Sequence, residues 1–310
     1  MPSSSVSVKE PENDLVPPAG GTTATERSTG QLRAVEHIRR MRGGSQSHLM
    51  RCSDGNYYVV KFPNNPQGAR ILANEFLGSR LATRMGLPVA PAAVVMVRQK
   101  LIRYTEELVM EMPHGRIPCQ AGLCFGSRYP DDPRRVTVFD FLPDKVLMGL
   151  YFQSVFAGAL VFDMWTCNMD QRQLVFYRQG SEGAYRAILI DQGHCFGGLE
   201  WSFSNAAKRC LYSRAVAYGA IRGIEAFNPW LNYLERFIHR NVLNSLAKEI
   251  PPEWYAKDEV SLLRLLDHLD HRRLQVRGLL GKLCTRFPRY FLNWIGEPAV
   301  ASTSVALAKQ

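Results

Sequence analysis

At 310 residues, with 46% hydrophobic and 21% charged residues, the chain can bury a sizeable core and has the length for two lobes. A net charge of +10 admits a polyanionic partner, whether nucleotide, nucleic acid or an acidic protein face, without choosing among them. The seven cysteines are scattered, odd in number and without a Cys-x-x-Cys pair, which argues against a zinc site or disulfide framework and for reduced thiols in a cytoplasm.

Residues 1–30 are rich in Ser, Thr, Pro, Gly and Glu, with no apolar core of a secretory signal, and are expected to be a disordered tail; 302–310 resemble a shorter one. Order is expected from Gln31, with three short strands before residue 63. Two of these flank the turn Ser53, Asp54, Gly55, Asn56, a hairpin signal. Ahead of them lie Gly43, Gly44, Ser45, Gln46 and Ser47, small residues that can either hold phosphate oxygens on backbone N–H groups or simply turn the chain.

Lys61 falls within an apolar strand over 57–62. Its ammonium either faces a cleft, where it meets phosphate or a carboxylate, or snorkels out from a sheet edge. The spacing predicts a helix over 69–85, with Ile71, Leu72, Phe76, Leu77, Leu81 and Met85 on one broad face and Glu75 beside it. Glu75 is then a partner for Lys61 or an ordinary solvated charge. Gly86 and Pro88 stop this helix. Two more strands are expected over 89–101 and 107–112. Glu111 and Met112 end the second, just before the Pro113–Gly115 break, and are expected to meet a nucleotide at a lobe boundary. The segment 115–136 reads as a loop.

Residues 146–162 are almost wholly apolar. Their length is at the bottom of the range for a membrane span and no basic cluster flanks them, so a buried helix is expected and no membrane partner. Then come two apolar runs, 174–177 and 187–190, joined by a Gly-rich turn and so read as a β-hairpin. Asp170 precedes the first run and Asp191 follows the second, so antiparallel pairing brings both carboxylates to one end. Two acids facing one cleft suit Mg²⁺-phosphate binding and the steering of a hydroxyl; a surface hairpin with acidic turns is the plainer alternative. Helical spacing covers 205–224, 230–249 and 259–284. The last carries a basic face that is read as solvated, without a nucleic-acid-binding motif.

A five-strand lobe with one helix, a break, and a helical lobe with one hairpin together make an α+β layout. In that layout the chain resembles the HipA-like branch of the protein-kinase-like superfamily. The likeness spans about residues 35–295. Gly44, Ser45, Gln46 and Ser47 resemble its phosphate-covering loop. Lys61 stands for its ATP lysine, and Glu75 for the helix partner. Cys167, Asn168, Met169 and Asp170 are similar to its Gly-Asn-Thr-Asp catalytic loop, and Asp191, Gln192 and Gly193 to its Asp-x-Gly motif. The resemblance implies a bilobal fold with an N-lobe over 31–112, a hinge over 113–120 and a C-lobe over 121–301. It further implies ATP and Mg²⁺ as cofactors, Asp170 as the base, Asp191 as the metal ligand, and transfer to a Ser or Thr hydroxyl of a protein substrate.

One position departs from the pattern. Five residues after the catalytic Asp the family has an Asn that helps hold Mg²⁺; here it is Val175, with no lone pair to offer. Gln173 and Asn168 carry amides, but at other spacings. A nucleotide-binding pseudokinase is therefore the second reading, and a nucleic-acid-binding protein, resting on charge alone, the third.

Overall fold

A computed structural model describes residues 30–180, 183–203 and 210–296. The tails expected over 1–30 and 302–310 fall outside these residues apart from Gly30. Three strands open the fold: β1 (Ala34–Arg40), β2 (His48–Cys52) and β3 (Tyr57–Lys61). Asp54 sets the β2–β3 turn by accepting from the Asn56 N–H at 3.1 Å and the Tyr58 hydroxyl at 2.9 Å. Helix α1 (Arg70–Arg84) follows. It stops where Gly86 takes φ +71°, which lets the Leu87 N–H donate back to the Ala82 carbonyl at 3.1 Å.

After β4 (Ala92–Val97) the chain departs from the sequence expectation. The strand does not run on to 101; a short helix α2 (Gln99–Arg103) and the hairpin β5 (Val109–Met112) and β6 (Gly115–Pro118) come next. Residues 122–128, expected as loop, form β7 (Gly122–Arg128), which lies between β3 and β4 in the order β1-β2-β3-β7-β4 and is antiparallel to both. The glycine that reads as a breaker is a point of close packing: a Cβ on Gly126 would sit 2.6 Å from Val95 Cγ2. The fifth strand is thus 122–128 and not 107–112, and the chain leaves this sheet after Arg128, beyond the 113–120 hinge expected from the Pro/Gly break.

The sheet has two apolar faces. Phe125 and Leu123 join α1 in the large core that continues through the helical region. Met50, Val60, Val95 and Cys124 face the other way, where Ile102, Leu108 and Met110 from the 99–121 insertion cover them. The second lobe begins with β8 (Val136–Phe139), α3 (Asp144–Leu147) and α4 (Leu150–Thr166). Helix α4 is buried continuously from Val155 to Thr166, as an all-round apolar helix must be in water. Among the described residues no helix is long and apolar enough to cross a membrane.

Strands β9 (Gln173–Gln179) and β10 (Arg186–Ile190) pair antiparallel and add β8 at the far edge. Residues 204–209 lie outside the described set, and the rest of the segment expected as a helix over 205–224 holds a 3-10 turn at Ala215–Tyr218 and the first residue of another at Ile224–Phe227, with no α-helix among its described residues. The helices expected over 230–249 and 259–284 are each split in two, α5 (Asn228–Phe237) with α6 (Arg240–Ala247), and α7 (Glu259–Arg272) with α8 (Val276–Arg286). At the first break Ile238 leaves helical geometry (φ −97°, ψ 85°) and is buried, so core burial there outweighs a continued hydrogen-bond ladder.

Candidate active site

Strand β3 ends on Lys61, and α1 crosses below it with Glu75 on the turn that faces the strand. The Lys61 ammonium donates to Glu75 Oε1 and, at 3.2 Å, to Asp191 Oδ1. The side chains of Lys61 and Glu75 are only 9% and 3% exposed, so the cleft reading of both residues describes their position and the solvated one does not. Burial works against the lysine's charge, but the two carboxylates more than offset it and hold its pKa above the ordinary value. Burial likewise opposes ionisation of Asp191, yet Lys61 holds that carboxyl down at about 2. Glu75 is pushed up, by burial first and despite Lys61.

Glu75 also grips the motif itself, since its Oε2 accepts from the Gln192 N–H at 2.9 Å. Two glycines let α1 come this close. A Cβ on Gly78 would lie 2.7 Å from Gln192 Cβ, and one on Gly193 would lie 2.8 Å from Ile71 Cγ2. Asn74, fully buried, donates to the carbonyls of Gly193 (2.8 Å), Gly198 (3.1 Å) and Cys195 (3.3 Å), while its oxygen accepts from Trp201 Nε1 at 2.6 Å. Asp191 itself has φ +60°, a backbone region that non-glycine residues hold only when surroundings fix it.

The second carboxylate is placed from below. Helix α4 ends as Cys167 turns to φ +51°. Asn168 then folds back, donating from Nδ2 to Asp163 Oδ1 at 3.1 Å and accepting the Asp170 N–H on Oδ1 at 3.1 Å. Arg172 donates from Nε to Asp163 Oδ2 at 2.8 Å and from Nη2 to Asp163 Oδ1; its Nη1 reaches the Ile190 carbonyl (3.0 Å) and Gln192 Oε1 (2.8 Å). One buried guanidinium therefore joins the loops that carry Asp170 and Asp191. The register Gln173↔Ile190 and Val175↔Ile188 brings the two acids to the same end of the hairpin. There the Gln173 amide lies between them, with Nε2 3.2 Å from Asp191 Oδ2 and 3.5 Å from Asp170 Oδ2.

The loop over 43–47 is arranged less simply than its composition suggests. Gly44 is exposed, but Ser45 and Ser47 are buried. The Gln46 amide is spent on the β5 strand: its Nε2 donates to the Glu111 carbonyl at 2.8 Å and its Oε1 accepts the Glu111 N–H at 2.7 Å. Both main-chain groups that Glu111 would offer a nucleotide base are thereby taken, and Met112 packs against the outer core of the small sheet. Glu111 and Met112 thus have positions tied to the loop and the insertion, where the sequence placed them at a hinge. A Cβ on Gly44 would lie 3.3 Å from Gln67 Nε2, which is in turn 3.4 Å from His194 Nε2. That contact brings the loop over the turn after Asp191.

Arg172, Asn74, Gln67 and His194 were not singled out by sequence. Asn74 left a signal: beside Glu75 it makes a polar pair in the middle of an otherwise apolar helix face. The chemistry of the donor set fits a hard divalent cation. Asp191 is ionised, one of its oxygens is committed to Lys61, and the other converges with an Asp170 oxygen on a solvent-facing point.

The structure is similar to that of the Helicobacter pylori proinflammatory kinase CtkA, with a TM-score of 0.51 and 13% identity over 81% of this chain and 94% of that one. It is also similar to hydra Fam20 solved with sugar (TM-score 0.49, 11% identity, 83% and 85% of the two chains). A Golgi casein kinase with Mn/ADP bound gives a TM-score of 0.45 at 12% identity, over 80% and 72%. The CtkA likeness shows the fold, a kinase-like α+β architecture with a β-rich first lobe and a helical second one. Comparison with curated protein sequences gave no match. Residues 34–192, just over half of the chain, match the family model described as HipA-like kinase, and the chain belongs to that family.

Proposed function

We propose that the protein is an ATP- and Mg²⁺-dependent phosphotransferase that acts on a Ser or Thr hydroxyl of a protein. The observation that carries this reading is the bridge made by Lys61, whose ammonium contacts Glu75 and Asp191 at once. That bridge leaves a fixed positive charge beside an ionised carboxylate, which is the pairing that a triphosphate with its metal needs. Lys61 would orient the phosphates and Asp191 would hold the cation. Asp170 would accept the hydroxyl proton, and Gly44 would let the loop approach the phosphates. A bound Mg²⁺ would neutralise charge developing on the transferred phosphoryl group. The protein's share is positioning and electrostatics, so few groups suffice. Reduced thiols and a cytoplasmic setting belong to the same proposal, with neither membrane nor nucleic acid as partner.

The test is transfer from radiolabelled ATP, to the protein itself and to generic protein acceptors, by wild type and Asp170→Asn. Transfer by wild type that disappears in the variant is the expected result; transfer that survives it removes Asp170 from its role. The pseudokinase reading stays as a second one because of Val175 alone. It predicts Mg²⁺-dependent ATP binding, read as a rise in melting temperature that Asp191→Ala abolishes, with no transfer.

A further inference from the structure

Val175 sits where a kinase-like hairpin is expected to hold an amide for a second cation, and several side-chain amides lie near the two carboxylates. Three are already engaged. Asn168 uses its nitrogen on Asp163 and its oxygen on the Asp170 N–H. Gln192 is fully buried, with its oxygen on Arg172. Gln67 lies against His194. Gln173, by contrast, is exposed, stands on the first residue of β9 opposite Ile190, and turns its amide nitrogen to both acids, 3.2 Å from Asp191 Oδ2 and 3.5 Å from Asp170 Oδ2.

We infer that Gln173 supplies the amide oxygen for a second divalent cation, in the place that Val175 cannot fill. The inference rests on the phosphotransferase reading above and adds to it a ligand that sits two residues early. Spacing in the fold decides it more than spacing in the sequence. Along a strand, residues two apart point to the same face, so Gln173 and Val175 share the cleft side of β9, and Gln173 is the one nearer the acids. Without a cation the amide turns its nitrogen to the carboxylates, as two negative oxygens demand. A half-turn about the terminal torsion exchanges oxygen for nitrogen at the same place. The amide oxygen would then stand 3.2 Å from Asp191 Oδ2, judged by the present nitrogen position. Neighbouring oxygens around Mg²⁺, with bonds of about 2.1 Å in an octahedron, lie roughly 3 Å apart. The observed separation fits a shared cation within a few tenths of an ångström. Asp191 Oδ2 is the oxygen of that carboxylate that Lys61 does not hold, since the ammonium takes Oδ1.

The experiment counts Mn²⁺ bound to the full chain with a non-hydrolysable ATP analogue, by electron paramagnetic resonance titration. Wild type, Gln173→Leu and Gln173→Glu are compared. Wild type is expected to bind two Mn²⁺ per nucleotide complex. Gln173→Leu should lose the second or weaken it by about tenfold or more, the loss typical when a group serving a metal is removed. Gln173→Glu keeps an oxygen and loses the N–H donor, so it separates the two roles. If the oxygen is a ligand, Gln173→Glu binds the second Mn²⁺ at least as tightly as wild type. If the amide serves only as an N–H donor between acids, Gln173→Glu is the worst of the three, and the inference is overturned. Unchanged stoichiometry and affinity in Gln173→Leu overturn it as well, while leaving Asp191 and the nucleotide reading intact. A wild type that binds no Mn²⁺ with nucleotide overturns both together. Urea denaturation of each variant without metal establishes that the fold is retained, as an exposed strand-end position predicts.

Discussion

Arg172 holds Asp163 through two of its nitrogens, with side chains 2% and 0% exposed, and with its third nitrogen it holds the backbone just before Asp191. The pair sits under both acidic loops, so its value lies in position more than in net stability. Replacing such a pair by apolar residues can be neutral, whereas removing one partner strands a buried charge. Asp163→Ala is therefore expected to cost about 3–5 kcal/mol in denaturant unfolding. Asp163→Asn, which can still accept from the guanidinium, should cost less and yet weaken whatever depends on Asp170. Equal stability of Asp163→Ala and wild type would show that the guanidinium finds other partners.

Lys61 links two carboxylates, so Lys61→Met leaves them facing each other with Glu75 buried. The loss at pH 7 is expected to be several kcal/mol, as for other broken buried pairs. Glu75 already titrates above its ordinary range and will do so further without the ammonium. A carboxyl whose folded pKa is raised contributes stability at low pH and loses it as pH rises through that pKa. Relative to wild type, Lys61→Met should thus lose more stability as pH rises through the raised pKa of Glu75 than it does in acid. Glu75→Gln added to Lys61→Met is expected to restore part of the loss at pH 7, measured as a denaturation midpoint. A double variant no more stable than the single one would mean that the two groups are not coupled.

Much of this was legible from the residues. The hairpin built on the runs 174–177 and 187–190 and the helix over 69–85 follow from apolar spacing and from turn chemistry, both of which act locally; the Lys61–Glu75 contact was one of two readings of those residues and was singled out by the resemblance to the family. The course of 99–128 was not legible. Gly122 and Gly126 read as loop residues because glycine marks turns, while at 126 the packing of Val95 and Tyr58 excludes any side chain. Only the sheet order reveals that. Arg172 carries no local signal either, because its partner Asp163 lies nine residues back across the end of a helix. Gln46 looks like a phosphate ligand until the insertion that receives its amide is folded beside it.

His48 gives a pH dependence away from the cleft. It is fully buried on β2, with Nδ1 3.1 Å from His37 Nε2. Burial, then the charges of His37 and Arg40, push its pKa down to about 4. The unfolded chain, with a histidine near 6.5, binds the proton first, so stability contributed by neutral His48 is present at pH 7 and is lost progressively as pH falls toward 4. The loss between pH 7 and pH 5 is about 2 kcal/mol by linkage. His37 is shifted the same way. His48→Gln should flatten the stability profile over that interval by about this amount; an unchanged slope would show that His48 is not the group that titrates.

Val175 separates the enzyme from the scaffold. It is half-buried on β9 and pairs with Ile188, two residues inward from Gln173. An Asn there faces two opposed effects. It offers a carbonyl oxygen at the family's usual position, and it places an amide beside an aliphatic neighbour, where an unpaired polar group costs about 1–3 kcal/mol. If Gln173 already serves the second cation, Val175→Asn gains nothing in transfer and loses some stability. If the second cation is missing and its absence silences the protein, Val175→Asn gains transfer that wild type lacks, and the loss in stability is secondary. Measuring transfer from ATP and the melting temperature in the same preparation distinguishes the two. We expect the first outcome: wild-type transfer that depends on Asp170, little or no gain from Val175→Asn, and a melting temperature a few degrees lower. A silent wild type awakened by Val175→Asn would establish the pseudokinase reading, and with it an amide at 175 as the feature the chain has lost.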